Sequence, residues 1–166
     1  MYVCWTVVRS DQDREALRLT VVADLAAPPS TVWQVWSDSR QLERWWGPST
    51  WPATFEQYDL VRGGDVRYVM TGPEGEKARG WWRVLFVEEP HSLEFDDGFS
   101  DESGAPTHGL PTTRARVELI ETEVGARMPV TSTFASLGQM EQLVQMGMVE
   151  GMAEAMGQLD GLLFSA

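Results

Sequence analysis

The chain has 166 residues, near the length of one domain and enough to bury a substantial core. Lys and Arg total 13 against 25 Asp and Glu, a formal net charge of −12, which repels phosphate backbones and sets nucleic acid aside as a partner class. No apolar run reaches the ~18 residues of a membrane-spanning helix, so a span is excluded and a globular domain over residues 1–166 is expected.

The first fifteen residues read as an N-terminal extension with a candidate edge strand, followed by a polar turn over Ser10 to Glu15. The single cysteine, Cys4, has no internal disulfide partner and lies in an apolar stretch without a basic neighbour, so an inert, half-buried thiol is expected. With no basic and apolar leader ahead of it, the chain is expected to be cytoplasmic. Leu17 to Leu25 alternates as a strand with Leu19, Val21, Ala23 and Leu25 on one face. Pro28-Pro29 stops that strand, and Ser30 is positioned to cap a short helix carrying Val32, Trp33 and Trp36. Asp38 is positioned to cap a second, carrying Leu42, Trp45 and Trp46 and ended by Gly47-Pro48.

From Trp51 to Phe134 turn residues separate strand-length runs: Val66 to Met70, Trp81 to Val87, Leu93 to Phe95, Ala115 to Glu121 and Met128 to Phe134. This pattern predicts an antiparallel meander. The stretch Asp96 to Pro111, with four acidic residues, three glycines and two prolines, reads as a mobile surface loop. After Leu137, Met140, Val144, Met148, Met152, Ala155, Leu159 and Leu162 recur at helical spacing, predicting one long amphipathic helix. Its four glycines, Gly147, Gly151, Gly157 and Gly161, each weaken an isolated helix by about 1 kcal/mol relative to Ala, so tertiary packing must hold it.

Three segments carry a resemblance to a known family. Ala27 to Asp38, then Leu42, then Arg44-Trp45-Trp46-Gly47-Pro48, resembles the branch of the START-related (SRPBCC) helix-grip superfamily named after the activator of the heat-shock-protein-90 ATPase. Asp59 to Gly64 followed by Val66 to Met70 is similar to that branch's glycine hairpin, and Gly147 to Met152 with Leu159 to its final helix. The resemblance implies an α+β helix-grip fold: a curved antiparallel sheet wrapped around a long C-terminal helix, with a cavity between them. Two positions depart from the pattern. The family usually has an arginine where Val61 stands, and Met152 occupies a place often held by tryptophan, which leaves the helix side of the cavity softer. The eukaryotic co-chaperones also carry a separate N-terminal domain for which 166 residues leave no room, which weighs against carrying chaperone activation over.

The sequence offers no catalytic constellation. His91 and His108 lack a second ligand at metal spacing; Asp101, Glu102 and His108 read as solvated charge, and no metal or cofactor is assigned. Glu88-Glu89 and Asp96-Asp97 are sequence neighbours that point to opposite strand faces and read as surface charge. Ser132 has no histidine to activate it. The eight tryptophans and eight methionines instead point to a pocket, because unbranched methionines along a helix gripped by a sheet adapt to a guest.

Val66, Tyr68 and Met70 share one strand face, and Trp82, Val84 and Phe86 another. Of the adjacent Trp45 and Trp46, one anchors the helix and the other faces the cavity rim; Tyr58, Tyr68 and Arg83 are candidates to orient a ligand carbonyl or carboxylate. The expected ligand-binding set is Trp36, Trp45, Trp46, Phe55, Tyr58, Tyr68, Met70, Trp82, Arg83, Phe95, Met140, Val144, Met148 and Met152. The expected function is binding of a small, mostly apolar molecule, a lipid or an aromatic metabolite, in that cavity. Two alternatives stand beside it: a cyclase or aromatase-type enzyme, and a protein-interaction module associated with a chaperone or forming a homodimer.

Overall fold

The computed structural model describes residues 7–107 and 110–163. The expectations for Cys4 and His108 fall outside them. Among the described residues nine strands form one antiparallel sheet: β1 (Val7–Asp13), β2 (Arg18–Leu25), β3 (Ala53–Tyr58), β4 (Asp65–Thr71), β5 (Lys77–Glu88), β6 (Ser92–Ser100), β7 (Thr113–Glu118), β8 (Ile120–Glu121) and β9 (Ala126–Thr133). The order across the sheet is β1-β2-β9-β7-β6-β5-β4-β3, with β8 pairing on β9. The meander is therefore present, closed by β2 and β1 laid against its last strand. The helix-grip α+β fold is that expected from the sequence.

On β2 the alternation works as predicted: Leu19, Val21, Ala23 and Leu25 are buried, and Asp24 on the other face bonds Arg9 and Arg127 across both neighbouring strands at 2.8 Å each. β1 runs further than its composition suggests. Ser10, Asp11 and Gln12 pair with Val21, Thr20 and Leu19, so the turn begins at Arg14, because an edge strand needs backbone partners rather than apolar side chains. The predicted loop from Asp96 likewise starts later: Asp96 to Ser100 continue β6 and pair with Arg83 to Arg79 of β5. A bulge on β5 between Val84 and Phe86 flips the face after Val84; Phe86 is exposed, not inward beside Trp82 and Val84.

The first helix, α1 (Pro29–Ser37), begins at Pro29 with Pro28 in the cap position, and Ser30 does not cap it. Pro29 has no N–H to satisfy and a φ already suited to a first turn. In α2 (Ser39–Leu42) the predicted cap is present: the Asp38 carboxylate accepts from the Arg40 amide at 2.9 Å. Helical-type bonds to Leu42 then carry the chain through Trp45 and Trp46.

The C-terminal helical segment lies in the grip of the sheet, but in three pieces: α3 (Leu137–Gln145), α4 (Met148–Gly157) and α5 (Leu159–Leu163). Gly147 is the cause of the first break. Its φ of +93° lies in the left-handed region, where a residue without Cβ is unstrained. The break lets α4 turn onto the sheet independently of α3. The core between the layers holds Trp36, Trp45, Trp82, Phe95, Met128, Met140 and Leu159, all at most 2% exposed.

Candidate functional site

Four tryptophans contributed by three elements meet at the centre of the grip. Trp36 of α1 and Trp45 after α2 cross edge-on with centroids 4.7 Å apart, and Trp46 crosses Trp82 of β5 at 4.9 Å. Trp82 in turn stacks on Phe95 of β6 at 4.0 Å and 18°. The polar atoms are placed so that the rings keep fixed poses: Trp45 Nε1 donates to the Val35 carbonyl at 2.9 Å and Trp36 Nε1 to Met128 Sδ at 3.2 Å. Trp45 is therefore the anchor of the adjacent pair. Trp46 is the one turned to the rim.

Between this cluster, the sheet and α4 lies a recess of about 230 Å³. Its roof is Met148, Gly151, Met152, Ala155 and Met156; its floor includes Phe95, Asp97, Thr113, Ala115, Val130 and Ser132. The rim residues Gly47, Pro48, Met148, Gly151 and Met152 keep partial exposure and mark the mouth, while Trp36, Phe95, Val130 and Met156 close the inner end. Gln158 ties roof to rim, donating to the Gly47 carbonyl at 2.9 Å and the Trp45 carbonyl at 3.3 Å. Ser49 adds a second tie through its amide and hydroxyl to Glu154, each at 3.3 Å.

Of the residues the sequence nominated, Trp36, Trp45, Trp46, Met70, Phe95, Met148 and Met152 line this recess. The others stand elsewhere. Trp82 and Phe55 are buried in a second layer against the Tyr68 and Tyr58 rings, and Met140 is core at the start of α3. Val144 packs on that core outside the lining. The Tyr58 hydroxyl donates to the Trp36 carbonyl, which ties α1 to β3 and leaves that group nothing to offer a ligand; burial raises its pKa above the usual phenol range. Arg83 is on the outer face of the sheet, as its place between inward Trp82 and Val84 requires, and it pairs with Asp65 at 2.8 Å.

The largest departure is Asp97. Asp96 does point outward, bonded to Arg114 at 3.0 Å, as its surface-charge reading had it. Its neighbour points inward and accepts a 3.0 Å bond from the Tyr68 hydroxyl. Tyr68 reaches it from β4 by crossing β5 at Gly80, directly opposite Tyr68 in the ladder; a Cβ on Gly80 would overlap the Tyr68 ring and hydroxyl. The surrounding protein desolvates Asp97, although it keeps partial exposure where it borders the recess. Burial pushes its carboxyl up to about 7, against the Tyr68 and Gly98 hydrogen bonds that favour the ionised form. Burial, then the Asp97 charge, holds the Tyr68 phenol well above its ordinary range. The Trp46 N–H is turned toward the same hydroxyl and favours its ionisation, yet it is buried and meets no acceptor in hydrogen-bonding geometry among the described residues.

Gly47 and Pro48 stand at the rim with the Trp45-Trp46 motif, whereas sequence reasoning missed Thr113, Ala115, Val130, Ser132, Gly151, Ala155 and Met156 as lining. Strand alternation offered a signal for the β-strand members. Once Phe95 is inward, Asp97 follows two residues on, and its ladder partner Thr113 shares its face. The assumption that β6 ended at Phe95 hid this. A wider surface groove of about 690 Å³ crosses the outer face near Leu85, Phe86 and Ile120. It is lined by exposed ion pairs such as Arg116–Glu118 at 2.8 Å, and its one buried polar side chain among the described lining residues is Ser92. Among the described residues no acidic, histidine or cysteine cluster is arranged for a metal, and no helix is long and apolar enough to cross a membrane.

Three solved structures show how general this architecture is. A protein from Arthrobacter aurescens, solved by NMR, is 52% identical, with a TM-score of 0.92 over 97% of this chain and 94% of that one. Protein Ms6760 from Mycobacterium smegmatis is 42% identical, TM-score 0.89, over 96% and 99% respectively. A Rhodobacter sphaeroides protein is 26% identical, TM-score 0.84, over 96% and 100%. No curated protein matches the sequence. The model of the family described as activator of Hsp90 ATPase homolog 1-like protein matches residues 26–163, from the strand-ending prolines through α5, and the chain belongs to that family.

Proposed function

We propose that this chain binds a compact, mostly apolar molecule in the recess between the sheet and α4. The observation that carries the reading is the lining itself: methionine and tryptophan on three sides, interrupted by one carboxyl group and two hydroxyls. Apolar walls with few convergent polar groups are the usual make-up of small-molecule sites. The volume of about 230 Å³ lies below the roughly 300–1,000 Å³ of sites for drug-sized ligands, which favours a one- or two-ring molecule or a short chain over a whole lipid. Desolvating about 200 Å² of such a ligand is worth about 5 kcal/mol before the costs of association, so its polar contacts decide its affinity.

The test is titration with a neutral, polarity-sensitive naphthylamine fluorophore, paired with native mass spectrometry of freshly purified protein. Saturable fluorescence enhancement with one-to-one stoichiometry is expected. Absence of both uptake and any co-purifying molecule refutes the proposal. A second reading, an enzyme that moves a proton within the recess, is favoured by the Tyr68–Asp97 pair, since a carboxyl near 7 gives or takes a proton at neutral pH. Turnover of a bound ligand that stops in Asp97→Asn separates the two.

A further inference from the structure

A carboxyl group facing an apolar recess has to find its counter-charge somewhere. Asp97 Oδ1 holds the Tyr68 hydroxyl, and the Gly98 amide supplies another bond, but both donors are neutral. The arginines of the neighbouring strands all face outward and are already engaged: Arg79 with Glu56 at 2.7 Å, Arg83 with Asp65 at 2.8 Å, Arg114 with Asp96 at 3.0 Å and Arg116 with Glu118 at 2.8 Å. Among the described residues no lysine, arginine or histidine lines the recess. An ionised carboxylate left without a cation in such surroundings is costly.

The rest of the wall suits a cation. Thr113 lies opposite Asp97 in the β6–β7 ladder, and Ser132 lies opposite Ala115 one strand further on. Their hydroxyls border the recess and have no hydrogen-bond partner among the described residues, so both are available as acceptors. The ring of Trp46 stands at the mouth, and indole faces attract cations. An anionic ligand would meet the Asp97 charge and no positive group.

Resting on the binding role proposed above, we infer that the recess selects a compact apolar amine, its ammonium group seated on Asp97 with Thr113 and Ser132 beside it and its hydrocarbon body under Met148 and Met152. Phenethylamine, phenethyl alcohol and hydrocinnamate present similar bodies with a cationic, a neutral and an anionic head, and calorimetry at about pH 8 leaves Asp97 ionised. Tyr68 on β4 is the other titratable group facing Asp97; β5, β7, β9 and α4 bring Trp82, Thr113, Ser132 and methionines, which do not titrate. The expected result is that the amine binds about tenfold or more tighter than the alcohol, and the acid more weakly still. Asp97→Asn is expected to bring the amine down to the alcohol's affinity, and the wild-type comparison decides by itself if that variant does not fold. If the alcohol or the acid binds as tightly as the amine, the amine inference is overturned while the binding role stands. If neither these probes nor the fluorophore binds, both fall.

Discussion

Replacing Asp97 by Asn keeps the size of the side chain and an oxygen to accept the Tyr68 hydroxyl, but removes the titration. The carboxyl moves from 3.8 to about 7 on folding, so the folded protein holds the proton more tightly than the unfolded chain across that interval. Stability from this group is therefore greatest below pH 3.8 and is lost as the pH rises toward about 7, the reverse of the usual salt-bridged aspartate. At 1.36 kcal/mol per unit the full loss is about 4 kcal/mol, of which about 2.5 kcal/mol falls between pH 5 and pH 8. The assay is urea unfolding of wild type and Asp97→Asn at those two pH values. Groups common to both proteins cancel in the difference. The variant is expected to gain on the wild type by about 2–3 kcal/mol between pH 5 and pH 8. A difference that does not change with pH, or that moves toward the wild type, refutes the claim that Asp97 is desolvated and uncompensated.

Gly80→Ala puts a methyl group where the Tyr68 ring crosses β5; it is expected to destabilise by about 1–3 kcal/mol and, by displacing the hydroxyl that favours ionised Asp97, to steepen the pH dependence attributed to Asp97, both read from the same unfolding curves. Met152→Trp places a larger ring at the partly exposed mouth of the recess and is expected to weaken fluorophore binding about tenfold with under about 1.5 kcal/mol change in stability, measured by titration and unfolding. Gln158→Ala releases the carbonyls of Trp45 and Gly47, for an expected loss of about 1 kcal/mol and faster hydrogen exchange at the end of α4. Trp82→Ala removes a fully buried ring stacked on Phe95, at an expected cost of about 3–5 kcal/mol.

Much of the molecule can be read from local pattern. The alternation of Leu19, Val21, Ala23 and Leu25 and the Asp38 cap follow from the period of a strand and the orphan amides of a helix start, while which of Trp45 and Trp46 is the anchor came only with the Val35 carbonyl that accepts from Trp45. The order of elements and the family resemblance rest on the same signals. Where a chain-length signal was ambiguous, backbone pairing overrode it: polar Ser10 to Asp13 became an edge strand, acidic Asp96 and Asp97 extended β6, and Gly147 divided a helix whose apolar spacing ran on unbroken.

Which polar groups meet was decided by tertiary structure alone. Tyr68 and Asp97 are 29 residues apart on strands that are not neighbours, and only the missing side chain of Gly80 lets one reach the other. A carboxylate beside another carboxylate looks like solvated charge in a one-dimensional string. It becomes a buried acid only when the sheet turns one of the pair beneath α4, because desolvation depends on every atom packed around a group and not on its sequence neighbours.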